Sequence, residues 1–161
     1  YTIYDCYVGH GNADNPAARA KTDRLEVMHT LLPVQESIRI ENLTEYEDVP
    51  YMYYNLKSYL AYLSGTMGPW RRIVTGADTG RTCMVVIDSF GNAFTPYLFP
   101  YYDEVYILDL RPAYYSSYTA GASVREYIEY YGIDDAYIML STSSSMNSGY
   151  MLNYLLKYLD K

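Results

Sequence analysis

The stretch that decides the fold is TCMVVIDSFGNAFTPY, residues 82–97. Its first six residues, Thr82–Ile87, are almost wholly apolar and end in three β-branched residues, which predicts a strand buried on both faces of a parallel sheet. Asp88 ends this run, and the next four residues, SFGN, are turn formers and helix starters. A short helix is expected near Asn92–Leu98. A strand, a tight turn and a helix in this order would hold Ser89 at the carboxyl edge of the sheet.

A serine at such a turn is suited to nucleophilic chemistry, because backbone N–H groups close by can bind a negative oxygen. We therefore take Ser89 as the candidate nucleophile. Gly91 and Asn92 open the expected helix and are candidate oxyanion donors, and Asn147 in the loop STSSSMNS (141–148) is a further one. Serine, aspartate and asparagine are also ordinary caps at strand-to-helix joints, so a purely structural role for Ser89 stays open.

After Gly80 the sequence alternates between strand and helix patterns. Strands are expected at Glu104–Leu108 and Ala136–Leu140, and helices near residues 122–131 and 149–159. Such alternation calls for a parallel sheet with right-handed crossovers and helices on both faces. We predict that Thr82–Ile87 lies between the other two strands and parallel to both.

The first half of the chain has weaker signals. Its predicted elements are strands at residues 1–8 and 37–40, helices at 17–32 and 55–64, a solvated acidic loop at 41–48, and a linker at 70–80. We see no boundary between domains, so residues 1–161 are expected to form a single domain. Because the first residue is Tyr1, we expect this domain to be a fragment of a longer chain.

The segment DSFGNA (88–93), followed by PYL (96–98), resembles the nucleophile block of the SGNH (GDSL-like) hydrolase superfamily. The branch that holds the bacterial DHHW proteins and the alginate O-acetyltransferases is also similar in two later segments. These are VYILDLR (105–111), a strand ending in Asp-x-Arg, and YIEYYGIDD (127–135), a helix followed by a glycine-led strand start. The resemblance covers roughly residues 80–140.

This resemblance implies an α/β fold, a three-layer flavodoxin-like (SGNH-hydrolase-type) sandwich with a mainly parallel central sheet. It also implies acyl transfer to or from carbohydrate hydroxyls through an acyl-serine on Ser89, and an exported or cell-surface location. The substrate would be a carbohydrate or an acyl ester. Neither a cofactor nor a metal ion is implied.

The chain departs from this branch where the catalytic base should be. The branch has an Asp-His motif just before a helix upstream of the serine, but the corresponding segment here is PYMYYN (50–55). Tyr53 and Tyr54 can donate hydrogen bonds, but a phenol with a pKa near 10 is a poor general base at neutral pH. Of the two histidines, His10 in a Gly-His-Gly loop is the candidate base. His29, near the end of a predicted helix, fits a surface or cap position.

Two functions therefore stay open. The first is a carbohydrate O-acyl esterase or O-acetyltransferase with Ser89 as nucleophile and His10 as base. The second is a catalytically silent relative that binds glycan or a protein partner through a tyrosine-rich cleft. The chain has 23 tyrosines against 3 phenylalanines. This excess fits hydrated aromatic surfaces, but it fits a compositional bias of the source organism equally well.

Charge and composition exclude several other classes. A net charge of −7 argues against nucleic acid as a partner, because phosphate binding needs clustered Lys and Arg. No apolar run approaches the roughly 18 residues of a membrane-spanning helix. Asp88 and Asp109 could in principle hold Mg²⁺ or Ca²⁺, but we favour a structural interpretation in which Asp88 caps the turn and Asp109 pairs with Arg111. Cys83 is interpreted as a buried apolar residue.

Overall fold

The structure, a computed structural model, describes residues 34–48, 70–109, 111, 122–142, 155–156 and 159, and the backbone alone of 2–7 and 22–27. His10, His29, Tyr53, Tyr54 and Asn147 lie outside the described residues, as do the helix expected at 55–64 and most of the helix expected at 149–159.

The described residues form eight strands and three short helical segments. The strands are β1 (Thr2–Tyr7), β2 (Thr22–Val27), β3 (Glu36–Glu41), β4 (Thr44–Asp48), β5 (Trp70–Val74), β6 (Thr82–Ile87), β7 (Glu104–Asp109) and β8 (Asp135–Met139). The helical segments are α1 (Gly91–Phe94), a 3-10 helix (Thr95–Tyr101) and α2 (Val124–Tyr131). β1 and β2 form a two-stranded antiparallel sheet, and the other strands form a six-stranded sheet in the order β4-β3-β5-β7-β6-β8.

The parallel part of the six-stranded sheet confirms the strand prediction. β6 lies between β7 and β8 and runs parallel to both. Ile87, the last residue of β6, is level with Asp109 of β7 and Met139 of β8. The carboxyl ends of the three strands therefore meet at one edge of the sheet.

The predicted fold class is wrong. β5 is antiparallel to β7, β3 is antiparallel to β5, and β4 is antiparallel to β3, so only two of the five neighbouring strand pairs are parallel. The described chain is thus a mixed, mostly β structure and not a three-layer flavodoxin-like sandwich around a mainly parallel sheet. The error lies mainly in residues 70–80, which were expected to be a linker.

β5 was not predicted because it contains two adjacent arginines, Arg71 and Arg72, which are unusual in a buried strand. Trp70 and Ile73 are buried on opposite faces of the sheet, and Arg71, between them in sequence, is also buried. Two adjacent arginines are typical of an exposed turn, so the local sequence favours a linker. Pairing with β3 and β7 on either side overrides that preference.

Two further segments differ from their predictions for similar reasons. Thr22–Val27 falls inside the predicted helix at 17–32, but it is held as strand β2 by register pairing with β1. The acidic segment at 41–48 contains β4 instead of a loop. Asn42 and Leu43 both have positive φ, 48° and 61°, and form the two-residue turn that joins β3 to β4. Such turns match the twist of a hairpin.

The core occupies both faces of the six-stranded sheet. On one face, α2 packs over β5, β6 and β7, with the ring of Tyr127 stacked on Trp70 at 3.8 Å between centroids. Ser123 caps α2, since its hydroxyl accepts the N–H of Glu126. On the other face, Phe99 of the 3-10 helix is fully buried against β6 and β7. Among the described residues, neither α-helix is long and apolar enough to cross a membrane.

Candidate functional site

The turn that follows β6 is fixed by Asp88. Its carboxylate accepts the N–H of Phe90 at 2.9 Å, and its carbonyl oxygen accepts the N–H of Gly91 at 3.1 Å. The same carboxylate accepts the N–H of Ser141 at 2.8 Å, just beyond the end of β8. Asp88 is almost fully buried and caps the turn, as the structural interpretation predicted. It thereby ties the end of β6 to the loop that follows β8.

Ser89 follows directly and lies at the carboxyl edge of the sheet. Its side chain is half-buried, and its hydroxyl has no hydrogen-bond partner among the residues that the structure describes. A serine that only capped the turn would use its hydroxyl on a nearby backbone N–H. Here Asp88 takes that role, and the serine hydroxyl is not used as a cap.

Gly91 lets α1 fold back closely on the strand. A Cβ atom at this position would lie 2.4 Å from Cβ and 2.5 Å from Cγ2 of Ile87, closer than carbon atoms can approach. Only glycine therefore fits, and the reason is contact with the end of β6, since its φ is not positive. Its predicted role as an oxyanion donor stays a prediction.

Asn92 lies on the inner side of α1 and is completely buried. Neither its Oδ1 nor its Nδ2 atom has a hydrogen-bond partner in the described part of the chain. A buried amide without partners is destabilising by about 1–3 kcal/mol. Stability therefore does not explain asparagine at this position, two residues after Phe90 and three after Ser89. Its predicted role as an oxyanion donor also stays a prediction.

The neighbouring strand end carries a buried ion pair. Asp109, the last residue of β7, accepts the backbone N–H of Arg111 at 2.9 Å and pairs with its guanidinium at 2.5–3.0 Å. This pairing confirms the structural interpretation of Asp109. Within the described ranges, no group of three or more His, Cys, Asp or Glu side chains could hold a metal ion.

Cys83 is the second residue of β6 and is fully buried. Burial raises the pKa of this thiol to about 12, and the nearby Asp135 carboxylate adds to the effect. Because the thiolate is the reactive form, Cys83 is inert at neutral pH. Its interpretation as a small buried apolar residue is confirmed.

The structure brings three of the predicted site residues, Ser89, Gly91 and Asn92, into one turn. The others, His10, Tyr53, Tyr54 and Asn147, lie outside the described residues, and their roles stay predictions. Sequence reasoning missed one feature of this site, the link from Asp88 to the loop after β8. The signal for it was present, because the predicted order already placed the ends of β6 and β8 side by side.

Comparisons with known proteins add a fold likeness. No profile of a protein family matches the sequence, and no curated protein matches it significantly. A DHHW family protein from Eubacterium siraeum is similar in structure, with a TM-score of 0.72 and 18% identity over 91% of this chain and 48% of that one. PatB1 from Bacillus cereus is also similar, with a TM-score of 0.55 and 22% identity over 76% of this chain and 39% of that one. PatB1 with a sulfonyl adduct gives a TM-score of 0.54 at 22% identity, over 74% and 39%.

At these identities the likeness concerns the fold alone. It fits the DHHW branch that the sequence resembles, whereas the wider SGNH superfamily has no support beyond that sequence resemblance. The chain spans about half the length of the DHHW protein and about two fifths of PatB1. The activity of a whole protein of this kind is therefore a proposal for this chain.

Proposed function

We propose that this chain carries the nucleophile of a carbohydrate O-acetyltransferase or O-acyl esterase, which works through an acyl-serine on Ser89. The observation that carries the proposal is the Ser89 hydroxyl, which lies at the carboxyl edge of three parallel strands and has no partner in the described structure. A similar solved structure, PatB1, has been described with a sulfonyl adduct, and sulfonyl reagents form adducts with nucleophilic side chains.

In the first half-reaction, Ser89 Oγ attacks the carbonyl carbon of an acyl ester while its proton passes to a base. The bond from the acyl carbon to the donor oxygen breaks, and the donor alcohol leaves with a proton. In the second half-reaction, a carbohydrate hydroxyl attacks the acyl-serine, and Ser89 regains its proton. Water in place of the carbohydrate would make the chain an esterase.

The base is proposed to be His10, since the Asp-His motif of the resembling branch is replaced by tyrosines and the chain has just one other histidine, His29. Gly91, Asn92 and Asn147 are proposed donors to the oxyanion, and Tyr53 and Tyr54 are proposed to bind substrate. An exported or cell-surface location is also proposed, on the resemblance alone.

Labelling with a fluorophosphonate probe tests the nucleophile. Wild-type chain should form a stoichiometric adduct that peptide mass spectrometry places on Ser89, and it should release acetate from an activated acetyl ester. Ser89→Ala should lose both signals by at least about a thousandfold. Its melting temperature should stay close to wild type, because the hydroxyl makes no described hydrogen bond. Ser37→Ala, which changes a buried serine of β3, is the matched control and should keep both signals.

The two histidines provide a second test. His10→Ala should lower the labelling rate steeply, and His29→Ala should leave it unchanged, because a serine without a base is a weak nucleophile. An equal effect of both substitutions would reject His10 as the base. A wild-type chain that the probe does not label would reject the enzyme and leave the silent, glycan- or protein-binding relative as the function of the chain.

A further inference from the structure

The outer face of α1 and the 3-10 helix carries an unusual surface. Its large exposed side chains are Phe90 (64% exposed), Phe94 (39%), Tyr97 (60%) and Tyr101 (65%), which we call the aromatic strip. The inner face of the same segment is buried and packs toward the sheet through Gly91, Asn92, Thr95 and Phe99. The outer face thus carries large aromatic side chains of the kind that a surface helix normally places on its inner face.

Charge is absent from this segment. From Ser89 to Tyr102 the sequence is SFGNAFTPYLFPYY, which contains no Asp, Glu, Lys, Arg or His. The chain has 31 charged residues, 12 basic and 19 acidic, and none of them lies within this segment. Whatever binds here is not held by ion pairs from the strip itself.

The aromatic strip starts beside the candidate nucleophile and follows α1 and the 3-10 helix. Phe90 follows Ser89 directly, and the rings of Phe94 and Tyr97 lie 6.4 Å apart at an angle of 36°. From Phe90 to Tyr101 the helical rise of 1.5–2.0 Å per residue gives a length of roughly 16–22 Å. This length is sufficient for several linked sugar rings.

We infer that the aromatic strip binds an uncharged glycan chain and leads it to Ser89. Pyranose rings present C–H faces that pack flat on aromatic rings, while their hydroxyl groups stay hydrated at the rim. Tyrosine suits both parts, because its ring offers an apolar face and its hydroxyl a hydrogen bond. The inference identifies the acyl acceptor and so rests on the proposed function. Glycan binding can nevertheless be measured independently of acyl transfer.

Other partners fit the aromatic strip less well. A helix that lies on a membrane surface is rich in Lys and Arg on its polar face, and the strip has neither. The cores of protein interfaces are also aromatic and poor in charge, but they enrich Met and Arg as well, and the strip has neither of these two. An acidic glycan would meet a protein of net charge −7 without a cation on the strip. An uncharged, hydroxyl-rich polymer remains.

Calorimetric titration of the whole 161-residue chain is the test. The probes are cellohexaose, xylohexaose and mannohexaose, with an alginate hexamer as the acidic control. We expect saturable binding of at least one uncharged hexasaccharide and none of alginate. Phe94→Ala combined with Tyr97→Ala should weaken that binding at least about tenfold. Tyr130→Ala, an equally exposed tyrosine on α2 outside the strip, should leave it unchanged.

Leucine variants separate stacking from general hydrophobicity. Phe94→Leu combined with Tyr97→Leu keeps an apolar surface, so it should still weaken glycan binding. If the pair instead preserves binding, stacking is not the cause and the inference fails. If the double variants do not fold, Tyr101→Ala takes their place, because it is a single substitution at an exposed residue of the strip and should also weaken glycan binding.

Failure of this inference differs from failure of the proposed function. Ser89→Ala should bind the hexasaccharide like wild type, because binding needs the rings and not the nucleophile. Labelling of Ser89 without any hexasaccharide binding would overturn the inference and keep the enzyme. Binding without labelling would keep the inference and overturn the enzyme. Adsorption to phosphatidylcholine–phosphatidylglycerol vesicles in place of any glycan would also overturn the inference.

Discussion

The two edges of the parallel strands β6, β7 and β8 are built in opposite ways. At the amino edge, polar groups bind one another closely. The carboxylate of Asp103, just before β7, accepts the N–H of Thr79 at 2.6 Å and of Gly80 at 2.8 Å. The N–H of Asp103 in turn donates to the carbonyl oxygen of Arg81 at 2.8 Å. These bonds fix the turn that leads into β6.

The amino edge also joins β6 to the end of α2 and the start of β8. The hydroxyl of Thr82 donates to the carbonyl oxygen of Gly132 at 3.0 Å and accepts the N–H of Asp134 at 3.1 Å. The N–H of Thr82 donates to the Asp134 carboxylate at 2.8 Å. Arg81 forms an ion pair with Asp135. These bonds tie the start of β6 to α2 and β8.

At the carboxyl edge, by contrast, two polar side chains are left without described partners, the Ser89 hydroxyl and the Asn92 amide. Asp88 and Gly91 hold this turn in place, and the serine contributes nothing to it that the structure shows. Proteins that accept unsatisfied polar groups commonly do so at functional sites. The amino edge is thus joined by a network of described hydrogen bonds, whereas the Ser89 hydroxyl and the Asn92 amide at the carboxyl edge have none, and a functional role for that edge stays a prediction.

The largest expected effect is on stability at the carboxyl edge. Gly91→Ala forces a methyl group into Ile87, so it should lower the free energy of unfolding by about 2–3 kcal/mol and weaken labelling of Ser89. Urea unfolding measures the first effect. Gly132→Ala is the control: its φ is +61° but nothing lies within 4 Å, so strain alone should cost about 1 kcal/mol and leave labelling intact. Equal losses of unfolding free energy in the two variants would mean that the clash with Ile87 does not determine the cost of Gly91→Ala.

The same division explains what the sequence could predict. β6 and β7 were predictable because strands buried in a parallel sheet are short apolar runs. β8 is an edge strand with mostly exposed side chains, and it was predictable because a short strand-forming run follows the helical signal of α2. β5 was not, because Arg71 and Arg72 mark an exposed turn until a neighbouring strand is known. The position of Ser89 at the carboxyl edge could be predicted from a local pattern of strand, turn and helix. A base for it could not be assigned in the same way, because nothing near His10 in sequence ties that residue to the end of β6, and His10 stays a prediction.

A smaller effect is expected at the amino edge. Thr82→Ala removes a hydroxyl that joins β6 to Gly132 and Asp134, so it should lower the free energy of unfolding by about 1 kcal/mol. Labelling of Ser89, at the opposite end of the strand, should not change. Thr82→Ser keeps the hydroxyl and should recover most of the stability. Loss of labelling in a folded Thr82→Ala chain would contradict a purely structural amino edge.

The smallest effect concerns the pH dependence of the amino edge. The backbone N–H of Thr79, with that of Gly80, lowers the pKa of Asp103 from its usual value, because both bonds favour the charged carboxylate. The folded state therefore binds a proton less readily than the unfolded state near pH 4. The stability that Asp103 contributes is complete above the unfolded pKa and is lost as the pH falls through the lower, folded pKa.

Asp103→Asn should remove this pH-dependent contribution. The melting temperature of the variant should therefore fall less than that of wild type between about pH 6 and about pH 2, which lie on either side of the pKa of Asp. Asp78→Asn, in the same turn and without a described hydrogen bond, should keep the wild-type profile. If Asp103→Asn followed that profile too, the carboxylate bonds would not stabilise the fold, and the amino edge would lose its main structural anchor.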